Sequence, residues 1–129
     1  MKPTLNFLEA IKVCFSKYAT FSGRARRSEF WWFYLLGVIL NMVFSRLLAL
    51  AATADAIFYI SCAIILCVIG LILFIPMLAA WVRRLHDVGK SGHLLWLILL
   101  CGIGGLVPLI MCISDGQPGE NQYGPNPKE

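Results

Sequence analysis

Two short segments of the sequence hold the side chains that could do chemistry. They are Arg24, Arg26, Arg27 and Glu29 in the first segment, and Arg83, Arg84, His86, Asp87 and Lys90 in the second. Guanidinium groups bind phosphate oxygens in a bidentate manner, and they pair equally well with carboxylates on a neighbouring helix end. These nine residues therefore form a candidate cluster with three interpretations: an anion or lipid-headgroup site, ion pairs between helices, or positive charge that only fixes topology.

The ion-pair interpretation makes a specific prediction. Arg24, Arg26 or Arg27 should approach Asp87, and Arg83 or Arg84 should approach Glu29, because these opposite charges stand at helix ends that would lie side by side. A partly buried cluster of this kind would leave an uncompensated charge if one member were removed.

Acid–base catalysis is the chemistry that His86 and Asp87 would suggest, since histidine titrates near neutral pH. Neighbouring residues on a helix point about 100° apart, so the two do not form a dyad by themselves. The sequence shows no serine or cysteine placed as a nucleophile, no CxxC pair and no second acidic pair. We therefore predict a protein that is not an enzyme, with no catalytic residues, no metal and no cofactor.

The elements that position this cluster are apolar helices. Hydrophobic residues make up 59% of the chain and charged residues only 14%, and no charge occurs between Asp55 and Arg83. A bilayer core of roughly 30 Å needs about 20 such residues in a helix. A chain of 129 residues has too little interior to surround a helix that is apolar on every side. The sequence thus predicts an integral membrane protein.

The predicted fold is an all-α membrane protein, a small bundle of three transmembrane helices at residues 30–50, 56–82 and 94–113. The third segment contains Gly102, Gly104, Gly105 and Pro108, so a kinked or re-entrant segment is its alternative. An amphipathic helix within residues 4–19 precedes the bundle, and either lies in the headgroup plane or packs on the bundle. One membrane domain, 1–129, comprises an interfacial helix (1–22), the transmembrane bundle (23–113) and a polar tail (114–129).

Charge predicts the orientation. Residues 1–29 include six basic and two acidic side chains, and residues 83–93 include three basic and one acidic. The tail has one basic and three acidic side chains. By the positive-inside rule the two basic segments face the cytoplasm. Three crossings would then place the N-terminus in the cytoplasm and the tail outside.

Three stretches of this sequence carry a resemblance to a known family: FSGRARRSEFWWF at 21–33, RRLHD at 83–87 and GENQYGP at 119–125. With these the chain resembles domain-of-unknown-function family 805, whose members are small proteins of the bacterial inner membrane. The resemblance implies a multi-pass protein of the inner (plasma) membrane, and it implies no established activity.

The function predicted from these features is that of a non-enzymatic scaffold, or of a protein that interacts with lipids or a partner through a basic cytoplasmic face. Each exposed cation near an anionic membrane surface contributes about 1 kcal/mol of attraction. The expected partners are anionic lipid headgroups and a second copy of the chain, with no nucleic acid. The alternative is an oligomeric transporter or channel for a small solute, which would need more polar groups along the spans than Asn41, Ser45, Thr53 and Ser61 provide.

Overall fold

The computed structural model describes residues 3–96 and 106–129. Four α-helices and one short 3₁₀ helix lie in these ranges. They are α1 (Phe7–Ser16), α2 (Arg27–Ala51), α3 (Ala56–Asp87), the 3₁₀ helix Gly92–Leu95 and α4 (Leu106–Ile113). No β-strand occurs within the described ranges, and the all-α character predicted from the sequence is confirmed.

Helices α2 and α3 form a long hairpin, and both are long and apolar enough to cross a membrane. Helix α3 begins at the predicted residue because the Asp55 side chain accepts a hydrogen bond from the Phe58 backbone N–H at 2.8 Å, which caps the helix. Its other end differs from the prediction, because the helix continues through the arginines to Asp87. The last turns of α3 therefore carry Arg83, Arg84 and Asp87.

Gly89, two residues after the last residue of α3, terminates the helix. Its N–H donates to the His86 carbonyl at 3.0 Å, and the Lys90 N–H donates to the Leu85 carbonyl at 2.8 Å. This pair of bonds requires a left-handed residue between them, and Gly89 adopts a φ of +73°. The chain thus turns sharply at the end of α3 and packs Gly92 against Val82.

The third predicted crossing, residues 94–113, is not confirmed. Residues 97–105, with Gly102, Gly104 and Gly105, lie outside the described residues. On either side of them, Leu95 and Cys112 belong to one buried cluster with Phe30 and Leu85. A helix of 20 residues that crosses a membrane separates its ends by about 30 Å. The two described ends of this segment therefore lie at the same end of the hairpin.

The tail packs against both arginine segments, although three crossings would place it across the membrane from them. The Gln117 N–H donates to the Asp87 carbonyl at 2.8 Å, and Arg24 donates to the Gly119 carbonyl at 2.6 Å. Net charge placed the acidic tail on the far side only because a third crossing was assumed. The contacts place it against both arginine segments.

Helix α1 packs across the hairpin. Phe7 and Phe15 lie about 12 Å apart along α1, yet their rings contact those of the adjacent residues Trp32 and Phe33, at centroid distances of 5.8 and 5.7 Å. The helix therefore crosses α2 instead of running alongside it. Its Cys14 is fully buried in a cluster with Phe33 and Ala80. Of the two sequence-based alternatives, packing on the bundle is present.

The turn after α1 also supplies a hydrogen-bond donor that α3 lacks. Pro76 lies inside α3 and has no N–H, which leaves the Ile72 carbonyl without its helical donor. The hydroxyl of Tyr18 donates to that carbonyl. An unpaired carbonyl in an apolar environment would be costly, so Tyr18 stabilises α3 where proline interrupts it.

Candidate functional site

The antiparallel hairpin sets the first turn of α2 beside the last turns of α3, which brings Glu29 and Arg83 together. Arg83 Nη2 lies 2.9 Å from Glu29 Oε1, and both side chains are buried. Arg83 Nη1 also donates to the carbonyls of Lys17 at 3.1 Å and Thr20 at 2.7 Å. Those carbonyls follow the end of α1, where backbone oxygens lack helical donors. One arginine thus joins α1, α2 and α3.

The thiol of Cys14 borders this pair, 4.0 Å from Glu29 Oε1. Burial, together with the nearby Glu29 carboxylate, raises the pKa of Cys14 to about 12, although Arg83 acts in the opposite direction. The thiol is therefore protonated at neutral pH, and an ionised nucleophile is disfavoured at this position.

Asp87 is the second anion of the site, and two arginines hold it. Arg24 Nε lies 2.9 Å from one carboxylate oxygen, and Arg84 Nη1 pairs with the other. All three side chains are almost completely buried. Arg24 precedes α2, whereas Arg84 and Asp87 are three residues apart on α3, so the carboxylate joins the two helices.

The rest of the Arg84 guanidinium binds the end of α4. Its Nε donates to the Cys112 carbonyl at 3.2 Å, Nη2 donates to the Ser114 carbonyl, and Nη1 reaches the Ala25 carbonyl at 3.4 Å. A cation at a helix C-terminus is stabilised by the helix dipole as well as by these bonds. Arg84 therefore holds α4 against the hairpin.

The tail is bound through its backbone. Besides Asp87, Arg24 binds the carbonyls of Gln117, Gly119 and Gly124, the last two at 2.6 and 3.4 Å. Arg26 lies beside it, is also buried, and donates to the carbonyls of Pro127 at 2.8 Å and Pro3 at 2.6 Å. The tail thus completes the shell around the arginines of the first segment.

Arg27 faces outward and makes a different kind of contact. Its Nη1 lies 2.9 Å from Asp115, which also lies 3.4 Å from the Lys128 ammonium. Hydrogen bonds from Arg27 and Lys128 lower the pKa of Asp115. The Asp115 side chain is 72% exposed, so solvent screens the pair and its contribution is small.

His86 and Lys90 lie at the rim of the site. The His86 ring stacks on Tyr123 at a centroid distance of 3.8 Å, and its Nδ1 lies 3.2 Å from the Gly23 carbonyl. A carbonyl only accepts, so Nδ1 carries the proton. The carboxylate oxygens of Asp87 are bound by Arg24 and Arg84. Lys90 is exposed.

Together these contacts define a buried charge cluster, which consists of Arg24, Arg26, Glu29, Arg83, Arg84 and Asp87. The predicted pairings of Arg24 with Asp87 and of Arg83 with Glu29 are both present. Four arginines face two carboxylates, and backbone carbonyls at chain ends and helix ends bind the remaining guanidinium groups. Arg83 Nε is the only buried side-chain polar atom of the described residues without a hydrogen-bond partner. The contacts of the cluster hold the helices and the tail together. An anion or headgroup site stays a prediction.

Two contributions to this region lie beyond the sequence analysis. One is the set of tail carbonyls, which residues of any type could supply. The only features of the sequence that could have indicated this packing are the glycines of the tail and Asn121, whose Nδ2 donates to the His86 carbonyl at 3.0 Å. The other is Tyr18, whose partner Ile72 is recognisable only as the residue four before a proline. As for metals, the described ranges contain no group of three or more His, Cys, Asp or Glu side chains that could hold an ion.

Comparisons with known proteins show similarity to one family and to proteins of the bacterial inner membrane. The model of a family described as "Protein of unknown function (DUF805)" matches residues 18–125. The chain is 36% identical over 111 residues to the inner membrane protein YhaH of Escherichia coli K12, covering 86% of this chain and 89% of YhaH. It is 37% identical over 115 residues to the inner membrane protein YhaI of the same strain, covering 86% of this chain and 88% of YhaI. No solved structure matches the chain significantly.

Proposed function

The chain belongs to the DUF805 family, and we propose that it is an integral protein of the bacterial inner membrane that acts as a non-enzymatic scaffold. In this proposal α2 and α3 cross the bilayer, and the buried charge cluster fixes a platform at one membrane surface. Exposed cations on that platform engage anionic phospholipid headgroups. The homologues carry no assigned activity, so the proposal rests on the geometry of the site.

The proposed topology has two crossings and both termini in the cytoplasm. Both basic segments lie at one end of the hairpin, and the positive-inside rule assigns that end to the cytoplasm. The tail is bound to the same end by Arg24 and Arg26. Segment 94–113 starts and ends there too, which supports the re-entrant alternative for this segment.

The observation that carries the scaffold proposal is the commitment of the buried arginines to the protein itself. Arg24, Arg83 and Arg84 bind carboxylates and backbone carbonyls, so they are not free to bind a soluble anion. Lys12 and Lys90 are exposed. Cations of that kind attract anionic lipid by about 1 kcal/mol each, without chemical selectivity. A rigid platform with a weak basic surface fits assembly and lipid contact better than chemistry.

Fusion proteins test the topology. A fluorescent protein joined to the C-terminus should fluoresce in a bacterium, and alkaline phosphatase at the same position should be inactive. Phosphatase inserted at residue 53, in the turn between α2 and α3, should be active and serves as the control. An active phosphatase at the C-terminus would overturn the two-crossing topology.

Lipid retention tests the headgroup contact. Native mass spectrometry of the purified protein should show phosphatidylglycerol bound, and Lys12→Gln with Lys90→Gln should reduce it severalfold. The matched control, Arg46→Gln, removes an exposed cation near the other end of α2 and should retain the lipid. Unchanged retention in the double variant would reject the lipid contact. Protein-dependent solute flux in vesicles would favour the oligomeric transporter instead.

A further inference from the structure

The geometry points to a membrane-inserted surface on α1, and we propose that this helix lies in the plane of the cytoplasmic leaflet. Leu8 and Phe15 then enter the acyl region of anionic phospholipids, and Lys12 reaches their phosphates. This inference rests on the proposed function and deepens it, because it names one helix as the lipid-binding element.

The first support is the direction of the helix. Contacts of Phe7 with Trp32 and of Phe15 with Phe33 set α1 steeply across α2. If α2 spans the bilayer, α1 lies close to the membrane plane. Trp32 and Phe33 are five and six residues into α2, a depth of about 8–9 Å. In-plane amphipathic helices bury their apolar face to about 5–10 Å.

The second support is the division of α1 into three faces. One face, with Ala10 and Cys14, is completely buried against α2 and α3. The remaining surface is divided between apolar and polar side chains. Leu8 is 66% exposed and Phe15 is 39% exposed, whereas Glu9 and Ser16 form the polar part. A helix that packed on the protein and otherwise met water would need one apolar face and one polar face. The additional exposed apolar strip on α1 therefore needs an apolar surrounding other than the bundle.

The third support is the orientation of α1 relative to the bilayer centre. Tyr18, three residues after Phe15, reaches the Ile72 carbonyl, and Ile72 lies 15 residues before the end of α3. The C-terminal end of α1, which carries Phe15, therefore faces the middle of the spans. Glu9 lies on the polar part and caps its own helix, because its carboxylate accepts from the Asn6 N–H at 2.9 Å.

Lys12 lies between the two parts, where a flexible ammonium side chain can extend to the phosphate level while its methylene groups stay with Leu8. The ligand that fits this order of apolar, cationic and polar groups is a phospholipid monolayer with anionic headgroups. A free phosphate would use the lysine and leave the apolar strip without a partner.

Depth measurements on the full chain test this arrangement. The five native cysteines are replaced by alanine, and Leu8→Cys or Ser16→Cys carries an environment-sensitive fluorophore. The protein is placed in nanodiscs of phosphatidylethanolamine and phosphatidylglycerol. Spin-labelled lipids should quench the label at position 8 at least threefold more than the label at position 16, and aqueous iodide should show the reverse order.

Equal quenching of both labels by iodide would place α1 above the bilayer and overturn the inference, as would equal quenching of both by lipid. The same nanodiscs without phosphatidylglycerol provide the control for the lysine: Lys12→Gln should reduce the depth of the label only when anionic lipid is present. If the labels fail while lipid retention still depends on Lys90, only this inference falls. If the unmodified protein retains no phosphatidylglycerol, the proposed function falls as well.

Discussion

The two ends of the α2–α3 hairpin are built on opposite physical principles. At the end that holds the buried charge cluster, Phe30, Leu85 and Arg84 are all completely buried. At the other end, Leu50 is 68% exposed and Ile57 is 79% exposed, and only a short turn joins the helices. One end makes its own interior from paired charges and aromatic rings, whereas the other relies on the surrounding apolar medium.

This difference shows where the specificity of the fold lies. Apolar helices surrounded by lipid gain little from each other through the hydrophobic effect, since lipid is equally apolar. Ion pairs and hydrogen bonds are directional, and they define which groups meet. The charge cluster therefore determines how α1, α2, α3, α4 and the tail are joined. The arrangement of the helices at the far end of the hairpin is a consequence of this joining.

The largest expected effect comes from removing the shared anion. Asp87→Ala leaves Arg24 and Arg84 buried without their carboxylate, which should destabilise the protein by about 3–5 kcal/mol or prevent its accumulation. Asp55→Ala, the capping residue at the far end, should cost only about 1 kcal/mol. Thermal unfolding in detergent measures both. Equal losses would show that the two ends contribute alike.

A smaller effect is expected where the tail meets the cluster. A Cβ at Gly116 would collide with the Asp87 carboxylate. Gly116→Ala should therefore destabilise the protein by about 1–3 kcal/mol and weaken the attachment of the tail. Gly70→Ala is the control, because nothing lies near that position and alanine favours the helix. Limited proteolysis of the tail provides the readout, and a tail equally protected in both variants would contradict the packing.

Tyr18 extends the comparison to the middle of the hairpin. Tyr18→Phe leaves the Ile72 carbonyl unpaired, and should cost about 1–2 kcal/mol. Replacing Pro76 with alanine restores the helical N–H, so Tyr18→Phe should cost much less in that background. A double-mutant cycle on unfolding free energies separates the two cases. An unchanged cost in the Pro76→Ala background would mean that the hydroxyl acts elsewhere.

The smallest expected effect at neutral pH concerns Cys14. Its pKa is raised to about 12 in the folded protein from a usual value of 9.0. The thiol is therefore neutral in both states below pH 9 and adds no pH dependence there. Above pH 9 it ionises only in the unfolded chain, so stability should fall by about 1.4 kcal/mol per pH unit up to the folded pKa. The Cys14→Ala variant should lose this contribution and keep the comparable one from Cys112, whose pKa burial also raises to about 12, so its stability should fall less steeply. Parallel pH profiles for the two proteins would refute the shift.

The sequence predicted this fold unevenly, for physical reasons. The uncharged run after Asp55 predicted the start of α3 correctly, since capping and hydropathy are local properties. Opposite charges predicted that Arg24, Arg26 or Arg27 approaches Asp87, because these charges stand at helix ends that lie side by side, and Arg24 makes this contact. The packing of the tail against the arginines was not predicted, since its bonds use backbone carbonyls that no residue type indicates.

The prediction for α1 shows a different limit. Its periodicity predicted an amphipathic helix, and left open whether it packs on the bundle or lies at the surface. Ala10 and Cys14 pack on the bundle. A helix that crosses α2 can do both, because packing uses one face and leaves two. Periodicity reports how many apolar residues share a side, and it does not report the angle at which two helices cross.

The attachment of the tail has a consequence for the synthesis of the chain. Arg24 is separated from Gly119 by 95 residues, and both α2 and α3 leave the ribosome before the tail does. Until the tail has been synthesised, Arg24 and Arg26 lack the tail carbonyls that they bind in the folded protein. A chain without the tail would therefore leave the Arg24 guanidinium with Asp87 but without its three backbone partners.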